Sequence, residues 1–587
     1  MDQQSSHRQQ TDSRAKNEFQ KSPQPSKKTD SLKSHFRSAS RKVHLLTGSV
    51  LLLIIGLLLS SMGTTLVRGI TAALSIHQSS GVAIAPHNSL SPAIQVDFSS
   101  RQNHAHPIGN TIFGVNGFSK IKANTQLLNY LGTAHMKLER ISVGMPGMFP
   151  TPSSINPQQQ DWSVFDRSMT VIQAQGLKPI LTLEFSPPWL QPQTNSCPGV
   201  DPSHVYPTSI KNGTNTGPGL WGALAAQVVA HMDSKFPTVH PYYEIWNEPD
   251  GVTFLCVPAS NPNPDQTRLV EYKAIYAAAA LHMNQQAQQD HTSIQIGGPA
   301  LAVPRIHAST WLTALVNDSA IAPNIDFISY HNYFRIRHAD TWSNTLGLLQ
   351  DPTAGVAALF ENVSSIVQKG KQPNAQSTPI LIDEYNTTTS LTDCCRNNKT
   401  FAPLWNALFI TDLLNSVNDK SSPYGPAHAF PSGLAYFSAI PESPTASQFC
   451  LFGTWNSAMN CAQNGSIQPY PQYYTYQLLS DSRFLDITNS AYITNGVSVN
   501  SAGLIVSSFY TSTKDDVLIV NTSGTTYSQL TISLQNPGLV QPKSTVFTVD
   551  QSNPQIRTSS VNLSGGTGGY TTTVNVPAYA IVALSLT

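Results

Sequence analysis

Charge is what this sequence has little of: 11% of its 587 residues are Asp, Glu, Lys or Arg, against 40% hydrophobic. What charge exists is uneven, with ten Lys/Arg against four Asp/Glu in residues 1–43, a balance of +6 that leaves the rest of the chain at −5. The folded part therefore offers no basic footprint for nucleic acid. Cysteine is scarce too, six residues, none at zinc-ligand spacing, so no metal centre is expected. No glycine-rich phosphate loop follows the first strand-like run, which argues against an open dinucleotide-binding sheet. Nor is there a repeat array of the kind that builds solenoids.

Long apolar runs are also rare, and the one that stands out is 44–66, HLLTGSVLLLIIGLLLSSMGTTL, without an Asp, Glu, Lys or Arg. At about 1.5 Å per helical residue it reaches across a bilayer core of about 30 Å. The basic residues before it, against a lone Arg68 and then a gap to Arg101 after it, place the N-terminus in the cytoplasm. The organisation expected is a disordered basic cytoplasmic tail (1–43), a single transmembrane helix (44–66), a linker (67–92) and an extracellular remainder. A signal sequence cleaved to release a secreted protein is the alternative. Cys197, Cys256, Cys394, Cys395, Cys450 and Cys461 all fall in the exported part, where disulfides persist, and six thiols allow 15 pairings. Cys450 with Cys461 would close a small loop, and Cys197 with Cys256 would join two neighbouring loops. Asn-x-Ser/Thr triplets begin at Asn212, Asn317, Asn362, Asn386, Asn398, Asn464, Asn521 and Asn562.

From residue 93 to about 480 short aliphatic runs alternate with longer helical stretches such as Leu220 to Ser234 and Thr267 to Gln289. Eight such runs can be counted: Thr111 to Asn116, Met136 to Ser142, Pro179 to Phe185, Tyr242 to Asn247, Ile294 to Gly298, Ile325 to His331, Pro379 to Glu384 and Gly433 to Ser438. Eight strands with intervening helices predict a (β/α)8 barrel over 93–480. After it, 481–587 reads as short alternating strands broken by Gly, Asn, Pro and Ser, the pattern of an antiparallel β-sandwich. Ala93 to Ser99 is a further strand that could join that sandwich.

Two carboxylates stand at the ends of predicted strands. Glu248, in YYEIWNEPDG, ends the fourth and is followed by Pro249, which cannot continue a ladder and turns the chain outward. Glu384, in PILIDEYNTTT, ends the seventh. The C-terminal ends of barrel strands form the active-site mouth, so folding would bring these two acids together there. Paired carboxyls of that kind cleave glycosidic bonds, one protonating the leaving oxygen and the other facing the anomeric carbon. Strict alternation would point Asp383 away from Glu384. Glu184, near the end of strand three, lacks a matching motif and reads as structural or supporting.

The run Trp246, Asn247, Glu248, Pro249 with a later strand-end Glu384 resembles clan A of the glycoside hydrolases. Within it, Gly297 to Ala300, Ser329 to Tyr333 and Ile382 to Asn386 make the chain most similar to family 39, the β-xylosidase and α-L-iduronidase family. The resemblance implies a retaining glycosidase in which Glu248 is the acid/base and Glu384 the nucleophile. It further implies that Asn247 hydrogen-bonds the substrate 2-hydroxyl, that His331 and Tyr333 line the site, and that Arg140 bridges the nucleophile. Arg140 could equally form a structural pair with Glu139 or Asp326. In a retaining pair the ionised partner keeps its neighbour's proton in place, and no cofactor is required. Trp189 and Trp455 lie in loops near the mouth, where they would pack or stack on sugar. The rival readings are a carbohydrate-binding surface protein without turnover and a transglycosylase. The sugar, the linkage and the oligomeric state stay open.

Overall fold

Short, dense aliphatic runs buried on both faces are what make the barrel staves. In a computed structural model, residues 93–587 are described apart from short stretches, the longest being 388–401, 440–450 and 454–467. The tail, the 44–66 run and the linker lie outside the described residues, as do Cys394, Cys395, Cys450, Cys461 and Trp455. Among the described residues no helix is long and apolar enough to cross a membrane.

Strands are numbered along the chain, leaving out the two-residue hairpin arms. β1 (Ala93–Asp97) and β2 (Ala105–Pro107) precede the barrel staves β3 (Phe113–Asn116), β4 (Leu138–Gly144), β5 (Lys178–Glu184), β6 (Tyr242–Ile245), β7 (Gln295–Leu301), β8 (Phe327–Tyr333), β9 (Ile380–Asn386) and β10 (Gly433–Tyr436). These eight close in the order β8-β9-β10-β3-β4-β5-β6-β7, and every neighbouring pair is parallel. All eight staves fall on the runs read from the sequence. Helices α1 (Thr125–Thr133), α2 (Ser163–Gln175), α3 (Gly217–Lys235), α4 (Pro264–Gln289), α5 (Pro304–Val316), α6 (Val356–Gln368), α7 (Ala402–Asn415) and α8 (Tyr473–Ser480) follow successive staves. The first inward residues, Leu138, Ile180, Tyr242, Phe327, Leu381 and Ala435, form an apolar layer inside the ring. Two residues further along the same staves stand Arg140, Thr182, Glu244, Ser329 and Asp383, all buried, so polar groups fill the barrel above that layer. Gly297 is required by the ring itself, since a Cβ there would collide with the Phe327 carbonyl on the next stave.

The barrel boundary expected at residue 93 is displaced. β1 pairs in parallel with β15 (Tyr527–Gln535) and antiparallel with β12 (Val497–Val499). β2 pairs with β11 (Ala491–Ile493). The chain thus supplies two strands to the C-terminal sheets before entering the barrel, because the free edge of β15 offers backbone partners that the short N-terminal strand needs. The remaining strands are β13 (Leu504–Tyr510), β14 (Asp515–Asn521), β16 (Ser544–Val549), β17 (Arg557–Ser560), β18 (Ser564–Gly566), β19 (Gly569–Val576) and β20 (Ala580–Leu586). They complete a five-stranded sheet, β12-β1-β15-β19-β18, and a seven-stranded one, β2-β11-β13-β14-β20-β16-β17. Ile94, Ile532 and Val574 from the first meet Val517, Ile519 and Leu584 from the second in one core. The other face of the seven-stranded sheet, with Leu518, Val520 and Ala583, joins the barrel's core. That double covering is why β14 and β20 are buried at every position.

Cys197 and Cys256 form a disulfide, with Cα atoms 6.3 Å apart, closing a separation of 59 residues. The same loops are stitched by Cys256 N–H donating to the His204 carbonyl at 2.8 Å. Cross-linking a loop of that length stabilises by about 4 kcal/mol in the chain-entropy picture. A Cys197→Ser/Cys256→Ser pair is expected to melt several degrees lower than the parent, and unchanged melting under reducing conditions would show that the bond contributes nothing. Of the Asn-x-Ser/Thr triplets, Asn386 and Asn521 are buried, which closes them to glycosylation once folded.

Candidate active site

Glu248 leaves β6 on a backbone that a regular strand would not adopt. Trp246 has φ 67° and Glu248 φ 49°, both in the left-handed region. The first turns the indole out of the barrel, where it is buried against Trp221 of α3 and its Nε1 donates to the Phe254 carbonyl at 2.9 Å. The second swings Glu248 back over the mouth. Asp250 holds this loop: it accepts from the backbone N–H groups of Ala302 at 2.8 Å and Val303 at 3.0 Å, just before α5, and pairs with His307 at 2.9 Å. Pro249 and Asp250 thus fasten the turn from which Glu248 projects.

Glu384 arrives by a different device. Along β9, Leu381 and Asp383 follow the inward parity, and Glu384 would be expected to face outward. The register against β8 slips here, pairing Tyr330 with Ile382 but His331 with Glu384. This bulge adds one residue to β9, so Asp383 and Glu384 both turn into the barrel. Asp383 therefore does not point away from Glu384, as alternation predicts: Arg140 Nε lies 2.9 Å from Asp383 Oδ2 while its Nη1 donates to Glu384 Oε1 at 2.6 Å.

All six sequence-selected residues converge on one centre. Single oxygens of Glu248 and Glu384 and a ring nitrogen of His331 lie within 4.8 Å of one another. His331 Nδ1 is 2.7 Å from Glu248 Oε1 and 3.4 Å from Glu384 Oε2. Tyr333 Oη donates to Glu384 Oε2 at 2.6 Å. Arg140 Nη2 donates to Asn247 Oδ1 at 2.8 Å, which fixes the side-chain amide with its NH2 directed away from the guanidinium. The sequence alternatives for Arg140 are not realised: its anionic partners are Glu244, Asp383 and Glu384, while Asp326 accepts the Ile296 N–H instead. Trp189 packs as loop core, its Nε1 donating to the Phe149 carbonyl at 2.9 Å. Glu184 accepts from the Ser142 hydroxyl, a supporting contact on the barrel rim.

The electrostatics sort these groups. Burial works against charge on His331, yet the carboxylates of Glu384 and Asp383 beside it hold its pKa well above the ordinary imidazole value. Burial raises the pKa of Glu384, opposed by His331 and Arg140 and reinforced by Glu248, and the net shift is upward. Burial likewise raises the Tyr333 phenol well above its usual range, so it stays a hydrogen-bond donor. Glu248, His331 and Glu384 have the side-chain types of a metal site. Arg140 and a cationic His331 already lie against the carboxylates, however, and a divalent ion would meet two positive neighbours. The donor set fits an acid pair better than a metal.

Two supporting residues escaped the sequence reading. Glu244, on β6 beneath Glu248, is fully buried and accepts from Arg140 Nε at 2.9 Å and Thr182 Oγ1 at 2.8 Å. A carboxylate at an inward position of an otherwise apolar strand was the available signal. Arg305, in the first turn of α5, donates to the carbonyls of Ala354 and Tyr333 and to Asn332 Oδ1, tying down the segment that carries Tyr333. Its guanidinium also lies 4.1 Å above the Phe334 ring. Around Glu248 and Glu384 opens a cavity of about 960 Å³, bounded by Gly251 to Phe254, Ala302 to His307, Tyr333 and Phe437. A pocket of that size takes more than one sugar ring.

An eight-stranded barrel with two glutamates facing each other at its C-terminal mouth is the architecture of a glycoside hydrolase. Residues 157–427 match the family described as Glycosyl hydrolases family 39, to which the barrel is thus similar. Its fold is similar to that of a family 30 subfamily 8 xylanase from Clostridium acetobutylicum, at 13% identity and TM-score 0.52 over 84% of this chain and 99% of the other. It is also similar to a glucosidase from Croceicoccus marinus, at 13% identity and TM-score 0.55 over 85% and 99%. A bacterial orthologue of human α-L-iduronidase aligns at 15% identity and TM-score 0.54 over 84% of each chain. No curated protein sequence matches the chain.

Proposed function

We propose that this glycosidase works by double displacement on poly- or oligosaccharides, with Glu384 as nucleophile and Glu248 as acid/base, and that its sugar preference is xylosidase-like. The observation that carries the reading is that one oxygen of Glu248 and one of Glu384 lie within 4.8 Å of each other, which favours the retaining spacing of about 5–5.5 Å over the wider gap of an inverting pair. The roles follow from the neighbours. Glu384 touches a guanidinium and a phenol, both of which favour its anion, as a nucleophile needs. Among the described residues, Glu248 hydrogen-bonds His331 and projects over the cavity from a loop, where a leaving oxygen can reach it.

In the first step Glu384 attacks the anomeric carbon while Glu248 gives its proton to the departing oxygen. In the second, Glu248 takes a proton from water, which attacks the same carbon and releases Glu384. Asn247 carries its amide NH2 toward the sugar beside Glu384, suited to a 2-hydroxyl. The 44–66 run and its basic lead support tethering to the membrane with the barrel outside, and the Cys197–Cys256 disulfide supports an oxidising compartment.

The test is a screen of nitrophenyl glycosides with the chain from residue 90 onward, xylosides first, with the anomeric configuration of the product read by NMR. Release of phenol with retained configuration is expected. Saccharide binding without release would favour a binding protein, and inversion would remove the double displacement. Because Glu384 must be ionised and its pKa stands above the usual carboxylate value, kcat/KM should fall, on acidification, at a pH above that value.

A further inference from the structure

Beneath the two glutamates lies a second acid pair that the mechanism above does not use. Glu244 on β6 and Asp383 on β9 are both fully buried and adjoin each other inside the barrel. Their hydrogen bonds leave atoms over. Glu244 Oε2 accepts from Arg140 and Thr182, but Oε1 has no partner. Neither oxygen of Asp383 accepts a hydrogen bond: Arg140 Nε is near Oδ2, but its N–H is directed at Glu244. His331 Nε2 is also unmatched, 3.7 Å from Asp383 Oδ2. A buried carboxylate whose oxygens accept no hydrogen bond is costly even beside a guanidinium, so this set is short of a proton.

One hydrogen resolves it. Resting on the catalytic reading above, we propose that Glu244 is a protonated positioning residue that donates its hydrogen to Asp383, so that the two carboxyls together carry one negative charge. Asp383 then receives one hydrogen bond from Glu244 and faces the Nε2–H of His331. The buried charges also balance: Arg140 and His331 are positive, Asp383 and Glu384 negative, and the acid form of Glu244 neutral. Were Glu244 ionised as well, Arg140 would be shared between three anions and drawn down, away from Glu384. The groups facing Glu244 are Arg140 on β4, Thr182 on β5, Ser329 on β8, Asp383 on β9 and Tyr272 on α4. Burial, with the Asp383 charge adding to it and Arg140 opposing, pushes the Glu244 pKa up to about 8.

The consequence is a catalytic limb on the alkaline side that belongs to neither Glu248 nor Glu384. It is read with a dinitrophenyl glycoside, whose leaving group needs no proton, so that the Glu248 acid form does not limit the rate. The parent is expected to lose about tenfold in kcat between pH 7 and pH 9. Glu244→Gln, which fixes a neutral donor in place, should abolish that limb. Thr182→Val removes a donor that favours the ionised form and should move the limb to higher pH. Independently of turnover, the infrared difference spectrum of parent minus Glu244→Gln should contain the C=O stretch of a protonated carboxyl at pH 6.5 and lose it by pH 9.5. A carboxylate band at pH 6.5 would overturn the proposal even in a fully active enzyme. Conversely, a carboxyl band in a protein without glycosidase activity would leave the proton assignment standing and sink only the catalytic reading.

Discussion

Glu384→Ala is expected to fold as the parent does and to lose about 10⁴-fold or more in kcat, because the covalent step has no other nucleophile within reach. Stability should change little. The side chain is an anion held by Arg140 and Tyr333, and its loss leaves those donors facing a solvent-connected cavity. Azide separates this variant from Glu248→Ala. In Glu384→Ala the small anion enters the space below the sugar and displaces the leaving group directly, giving a glycosyl azide of inverted configuration. In Glu248→Ala a dinitrophenyl substrate still glycosylates Glu384, and azide then attacks from the side where Glu248 stood, giving a product of retained configuration. Measuring product configuration by NMR for both variants tests the roles together. The opposite pairing of variants and products would exchange the two assignments, and parent-like turnover in either would place the chemistry elsewhere.

Much of this site could be read before any coordinates, and the reasons differ by residue. Barrel staves announce themselves because a strand buried on both sides needs a dense aliphatic run, as in PILTLEF or PILIDEY, and each observed stave overlaps such a run. Glu248 was legible through Pro249, which ends the ladder and marks the strand tip. Asp383 was misplaced for an equally physical reason. Side-chain parity is a property of regular strands, and the bulge that turns both Asp383 and Glu384 inward arises from the slipped register against β8, which β9 alone does not encode. Glu244 was missed because its partners stand 62 and 104 positions away, at Thr182 and Arg140. That Ala93 to Ser99 would join the C-terminal sandwich was legible from its alternating apolar residues, but which strand it pairs with, Thr531 to Gln535 more than four hundred residues on, has no local signature.

Arg140→Met is the variant with the largest expected effect on stability. Its guanidinium lies among three buried carboxylates, in contact with Glu244, Asp383 and Glu384, and is only 6% exposed. Replacing it with an apolar side chain of similar length keeps the packing but leaves Asp383 and Glu384 with His331 as their only cation, a loss of the order of 3–5 kcal/mol. The deficit should depend on pH in a defined direction. Without Arg140 the buried carboxylates have folded pKa values raised above their unfolded ones, so stability is recovered at low pH and lost as pH rises. Thermal melts at pH 5 and pH 8 should therefore show a gap to the parent that widens at pH 8; a constant gap would mean that the effect is packing alone. Activity should fall by about 10²-fold or more at every pH, since Arg140 aims both Glu384 and the Asn247 amide. Adding Asp383→Leu removes the most deeply buried of the stranded charges. The double variant is expected to regain part of the lost melting temperature while staying inactive, a non-additive result that separates what Arg140 does for the fold from what it does for the sugar.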